Sequence, residues 1–334
     1  MSTTPATNRS VPSARPSPDP EGLVRTPTDV LTRDGVRLQA CWVHAAPMSE
    51  TVADAGIEPA ADDVLHGVVV VIAHGFSASM ADTNVQLLVN RLAGRGCRVL
   101  VYDARGHGTS GGHSAVGSRE HLDVDGVSRL ARAAADGAPV VLVGVSMGAV
   151  GVVGYLAGPD AGTGPDAGAP CRGASRGDAQ GKGDPLTPHR DTPVAGAVLV
   201  SAPARWRMRP GPVGILTALM TRSAPGRWAA ARWIGVRIEP HWRVGTAPMA
   251  QMARIGVPVA VVHGRGDRLL ATSHGQDLHS AAEGPCRLDL VADMGHGLGD
   301  AAVGGVVEAI SWVLGPGTRQ RRDREPAPTT TPAR

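Results

Sequence analysis

The chain has 334 residues and a formal net charge of +3, with 44 glycines, 27 prolines, four cysteines and a single phenylalanine. Cys41, Cys97, Cys171 and Cys286 are scattered, without C-x-x-C spacing or clustered histidines, so no zinc site, disulfide framework or other cofactor is expected. No apolar run approaches the roughly 18–20 residues that span a bilayer, and no basic stretch followed by an apolar one opens the chain, so a cytoplasmic, reduced protein without stable membrane insertion is expected.

Residues 1–27 are rich in Pro, Ser and Thr and read as a disordered tail. Val36 to Val43 alternates as an early strand, and residues 48–63 form an acidic connector. Val68 to Ala73 is wholly apolar, as an interior parallel strand should be, and runs into the turn His74-Gly75-Phe76-Ser77. Val85, Leu88, Val89 and Leu92 fall at i, i+3, i+4 and i+7 and predict a helix ending at Gly94. A strand from Arg98 to Asp103, a helix from about Leu122 to Ala135, a strand at Val140 to Val143 and a helix from Met147 to Leu156 follow. Residues 158–193 hold 8 Gly and 6 Pro and read as a flexible insertion. Strands at Val194 to Val200, Val257 to Val262 and Cys286 to Val291 complete the set, and residues 316–334 read as a disordered basic tail. That tail carries five arginines against Asp323 and Glu325 but no aromatics, so no nucleic-acid partner is expected. Strand alternating with helix predicts a mostly parallel sheet covered on both faces, with a site beyond the strands' carboxyl ends.

Chemistry gathers at three of those ends. Gly144-Val145-Ser146-Met147-Gly148 spells G-x-S-x-G between a strand and a helix, where a serine is held on a strained turn as a nucleophile. A serine hydroxyl is protonated at neutral pH and needs a base and an orienting acid. Asp267 follows the strand ending at Val262, and His296 follows the last strand, giving the order Ser146, Asp267, His296. His74, His107, His113 and His263 compete as bases, but only His296 lies beyond the last strand; Asp293 rivals Asp267, but three residues from His296 a carboxylate seldom turns onto that imidazole. The backbone N–H groups of Met147 and Phe76 are the expected oxyanion donors, Gly75 allowing the tight turn before Phe76.

Together with Asp103-Ala104-Arg105-Gly106-His107-Gly108-Thr109-Ser110, these motifs resemble those of α/β-hydrolase fold serine hydrolases, the broad group of esterases, monoacylglycerol-lipase-like enzymes and serine aminopeptidase-like proteins. The resemblance covers roughly residues 28–315 and implies one α/β-hydrolase domain, with the D-x-R-G-H-G-x-S turn structural and a small helical cap at 204–250. Four of the six tryptophans fall there: Trp206, Trp228, Trp233 and Trp242. With Leu216, Leu219 and Ile234 they suggest a shelter for an apolar group. The expected function is hydrolysis of a carboxylic ester or related small acyl substrate by a monomer, through an acyl-enzyme on Ser146. An aminopeptidase or amidase on the same triad, or a non-catalytic binding protein, are the alternatives; dehalogenase or epoxide-hydrolase chemistry would need an aspartate at position 146.

Overall fold

The computed structural model describes residues 22–46, 64–158 and 194–322. The 159–193 stretch of the insertion, the 48–63 connector, residues 1–21 and residues 323–334 lie outside the described residues. Strands β1 (Leu23–Leu31), β2 (Arg37–Ala45) and β3 (Val69–Ala73) lead to helix α1 (Thr83–Ala93). Then come β4 (Arg98–Tyr102), α2 (His121–Ala133), β5 (Val140–Val145), α3 (Met147–Ala157) and β6 (Gly196–Val200). Helices α4 (Pro212–Arg222), α5 (Ala224–Trp233) and α6 (Pro248–Gln251) precede β7 (Val259–Gly264), α7 (Ser273–Ala281), β8 (Cys286–Val291) and α8 (Asp300–Arg322).

The eight strands form one sheet in the order β1-β2-β4-β3-β5-β6-β7-β8. From β4 to β8 all pairs are parallel, while β1 and β2 join antiparallel. Parallel strands need both faces covered. Alternation along β3 achieves this: Val70 and Ile72 pack toward α1 and α8, whereas Val69, Val71 and Ala73 pack toward α2, α3 and α7. Every residue of β3, β5, β6 and β7 is buried, so the middle of the sheet is the stiff floor from which the site loops rise.

Two expected boundaries are corrected. Leu23 to Pro27, assigned to the tail by composition, lie inside β1, where the edge position tolerates Pro27 opposite Cys41. At the other end α8 breaks at Gly315 (φ 55°, ψ 174°), but the backbone is helical again up to Arg322, within the stretch expected to be irregular. Between β6 and β7 the cap forms as two short helices. Ser223 separates them in extended conformation, its hydroxyl accepting the Gly226 N–H at 3.0 Å as the N-cap of α5.

Candidate active site

Ser146 stands between β5 and α3 at φ 50° and ψ −108°, a left-handed conformation that costs a non-glycine residue on the order of 1–3 kcal/mol. The turn closes only because both flanking positions are glycine. A Cβ on Gly148 would lie 2.2 Å from the Ala73 carbonyl oxygen, and one on Gly144 would lie 2.6 Å from the Ala149 Cα. The Ser146 N–H is tied to the Val200 carbonyl at 2.9 Å, which fixes the turn against β6.

The three residues picked from sequence converge. His296 Nε2 lies 3.0 Å from Ser146 Oγ, and His296 Nδ1 lies 2.8 Å from Asp267 Oδ2. Asp267 is buried, and its other oxygen accepts the N–H groups of Leu269 and Leu270, each at 2.8 Å. Burial works against the ionised carboxyl, but the bond and charge of His296 and those two amides outweigh it and hold the pKa below its ordinary value. Asp267 is therefore an anion beside the Nδ1 side of the ring. Asp293, the rival acid, is exposed.

Ser201, which sequence reasoning passed over, braces this line, and His263 lies beside it without bonding to it. Ser201, at the end of β6 with φ 47°, accepts the Gly297 N–H on its hydroxyl at 3.1 Å and so fixes the loop carrying His296. His263, set aside as a base, is buried with Nε2 3.6 Å from Asp267 Oδ2, beyond hydrogen-bond distance; burial, opposed by Asp267, lowers its pKa and keeps the ring neutral. A histidine–glycine pair at a strand end was the available signal for His263. Ser201 had none beyond its place at the end of a strand.

The loop after β3 is pinned by two buried imidazoles. His74 accepts the Ala104 N–H on Nε2 at 3.0 Å and faces the Gly75 carbonyl with Nδ1 at 2.8 Å, so it donates from Nδ1. His107 reaches the Phe76 carbonyl with Nε2 at 2.5 Å. Because a peptide unit is planar and trans, anchoring the Gly75 carbonyl on His74 turns the Phe76 N–H to the opposite side. A Cβ on Gly75 would lie 3.6 Å from the Ser146 Cβ, which puts this loop against Ser146. Met147 begins α3, so its N–H has no partner within the helix. Among the described residues neither N–H donates to a protein acceptor.

The Asp103 turn is a brace. Asp103 accepts the Met80 N–H at 2.8 Å and the Thr109 N–H at 3.2 Å. Arg105, buried, joins Asp123 at 2.8 Å through Nε and Asp34 at 2.8 and 3.0 Å through both terminal nitrogens, tying the β1–β2 turn to α2.

The cap's inner side is Ala230, Val236 and Ile238, packed on Phe76, Val116, Ile234 and Trp242. Trp206 donates to the Gly245 carbonyl at 2.8 Å and helps line a cavity of about 100 Å³ with Gly117, Val150, Gly154 and Gln251, along α3 and apart from Ser146. Trp228 and Trp233 face outward among the described residues. They are 63% and 69% exposed, which corrects the expected inward role of these two rings. Among the described residues no group of three or more His, Cys, Asp or Glu could hold a metal ion, and no helix is long and apolar enough to cross a membrane.

The sequence matches the model of the Alpha/beta hydrolase family over residues 70–309. The chain belongs to that family. As an alpha/beta hydrolase it shares its fold with the esterase Pf2001 of Pyrococcus furiosus, at 15% identity and a TM-score of 0.56, over 94% of this chain and 98% of that one. The esterase EaEST of Exiguobacterium antarcticum is similar at 17% identity and a TM-score of 0.54, over 86% of this alpha/beta hydrolase and 99% of its own chain. No curated protein matches the sequence.

Proposed function

We propose that the protein is a serine hydrolase that cleaves a carboxylic ester or related acyl substrate through an acyl-enzyme on Ser146. The observation that carries this reading is the unbroken line from Ser146 Oγ through both nitrogens of His296 to the ionised Asp267. With Nδ1–H donated to Asp267, Nε2 bears the lone pair and takes the Ser146 proton as Oγ attacks the carbonyl carbon. The oxyanion receives the free N–H groups of Phe76 and Met147. The protonated His296 then gives its proton to the departing alkoxide, and a water deprotonated by the same nitrogen hydrolyses the acyl-enzyme. Both solved structures named above are esterases, which favours the ester over other acyl bonds.

Ser146→Ala is expected to abolish turnover of p-nitrophenyl butyrate and labelling by a fluorophosphonate probe, with the unfolding transition retained. Undiminished labelling of that variant rejects Ser146 as nucleophile. Faster turnover of aminoacyl anilides than of the esters by the wild type overturns the ester.

A further inference from the structure

The two cap helices are amphipathic the wrong way round. On α4 the solvent-facing stripe is Ile215, Leu216, Leu219 and Arg222, while the side toward the protein offers Ala218 and the buried Thr221. On α5 the outer stripe is Trp228, Ala231 and Arg232, with Trp233 beside it, and the buried contact is Ala230. A surface helix ordinarily turns its large apolar residues inward. Here Ile215 is 62% exposed and the two tryptophans touch each other edge to face at 5.9 Å in the open.

Charge around this face is one-sided. Residues 204–250 hold eight arginines, no lysine and a single carboxylate, Glu239, which itself lies 3.8 Å from Arg119. Arg205 is matched by Asp277, but no ion pair forms at the exposed Arg207, Arg209, Arg232 or Arg243 among the described residues. A second copy of the same face would bring like charges together. A nucleic acid would leave the isoleucine and leucines without a partner. Exposed aromatic and aliphatic side chains that share their helix stripes with Arg222 and Arg232 fit the boundary between anionic headgroups and acyl chains.

We propose that the outer face of the α4–α5 hairpin docks on an anionic lipid bilayer. Ile215, Leu219, Trp228 and Trp233 enter the headgroup boundary, and the arginines meet lipid phosphates. The attachment is peripheral. Since the hairpin's inner side rests on Phe76, docking brings the loop beside Ser146 to the lipid surface.

The test uses the full chain, sedimented with phosphatidylcholine vesicles and with vesicles also containing phosphatidylglycerol. Binding is expected only to the second, with release at high salt and a blue shift of tryptophan emission. At roughly 1 kcal/mol per surface arginine, Arg232→Ala should weaken partition about fivefold and Arg209→Ala/Arg232→Ala about 25-fold. Trp228→Ala/Trp233→Ala should lose the blue shift. Circular dichroism serves as the folding control, so the outcome does not depend on the ester assignment. Protein remaining in the supernatant with anionic vesicles overturns the proposal. So does binding unchanged in both the arginine and the tryptophan variants, or a dimer in vesicle-free solution that Trp228→Glu disperses.

Discussion

Asp267→Asn keeps the side chain's size and changes the direction in which its hydrogen bonds run. In the wild type Oδ1 accepts two backbone N–H groups and Oδ2 accepts His296 Nδ1–H, all three at 2.8 Å. An asparagine has one accepting oxygen. Set at the Oδ1 position, it serves both Leu269 and Leu270 and turns its NH₂ on His296. Reversed, it leaves two donors facing an NH₂, at about 1–3 kcal/mol each, or roughly 2–6 kcal/mol together, more than the single bond to His296 returns. The first orientation wins. His296 must then accept on Nδ1 and carry its proton on Nε2, where it cannot take the Ser146 proton. The expected fall in kcat is on the order of 10³–10⁴, about 4–5.5 kcal/mol of barrier, with KM little changed. Initial rates on p-nitrophenyl butyrate read it directly, and a kcat within about tenfold of the wild type would refute the reasoning.

His74 supplies a pH test. Burial, followed by repulsion from His107, pushes its pKa down to about 4 from 6.5, so the folded protein holds the ring neutral where the unfolded chain protonates it. Stability is therefore lost as pH falls from 6.5 toward 4, on the order of 3 kcal/mol, and urea unfolding should show a flatter profile for His74→Gln across that window. Equal slopes would remove His74 as the source. Arg105→Met leaves the buried Asp123 carboxyl, whose pKa burial already pushes up to about 7, to take up a proton without its partner, and should cost about 1–3 kcal/mol by chemical denaturation; wild-type stability contradicts the brace. In Gly148→Ala the new Cβ would meet the fixed carbonyls of Ala73 and His74 at 2.2 and 2.7 Å, so a drop of about 3 kcal/mol or more in stability, or no soluble protein, is expected. Wild-type melting would disprove that clash.

The central strands were legible in the sequence because burial on both faces demands unbroken apolar runs, and Val69–Ala73 and Val140–Val145 supply them. The edge was not. β1 has four exposed positions within nine residues, Pro27 among them, because among the described residues it pairs on one side only and has little need of apolar residues. α7 escaped notice because its buried residues are His274, Gly275 and Leu278, a stripe that apolar spacing cannot reveal. In α8 the pair Gly304-Gly305 interrupts an otherwise regular pattern of Ala302, Val303, Val306 and Val307. Ser146, Asp267 and His296 could be named because each follows a strand end in a short polar or glycine-rich turn. The cap's orientation could not, since a tryptophan's apolar surface says that it wants cover and leaves open whether the protein or something outside provides it.

The three groups of the proposed triad hang from neighbours of unequal firmness. β5 and β7 are enclosed on both flanks, but β8 is the last ribbon of the sheet, paired with β7 alone, and each of its six residues is only partly covered. Fraying starts at such margins. Warming should therefore swing the imidazole out of line first, and the protein should fall silent, reversibly, at temperatures where most of its architecture still stands.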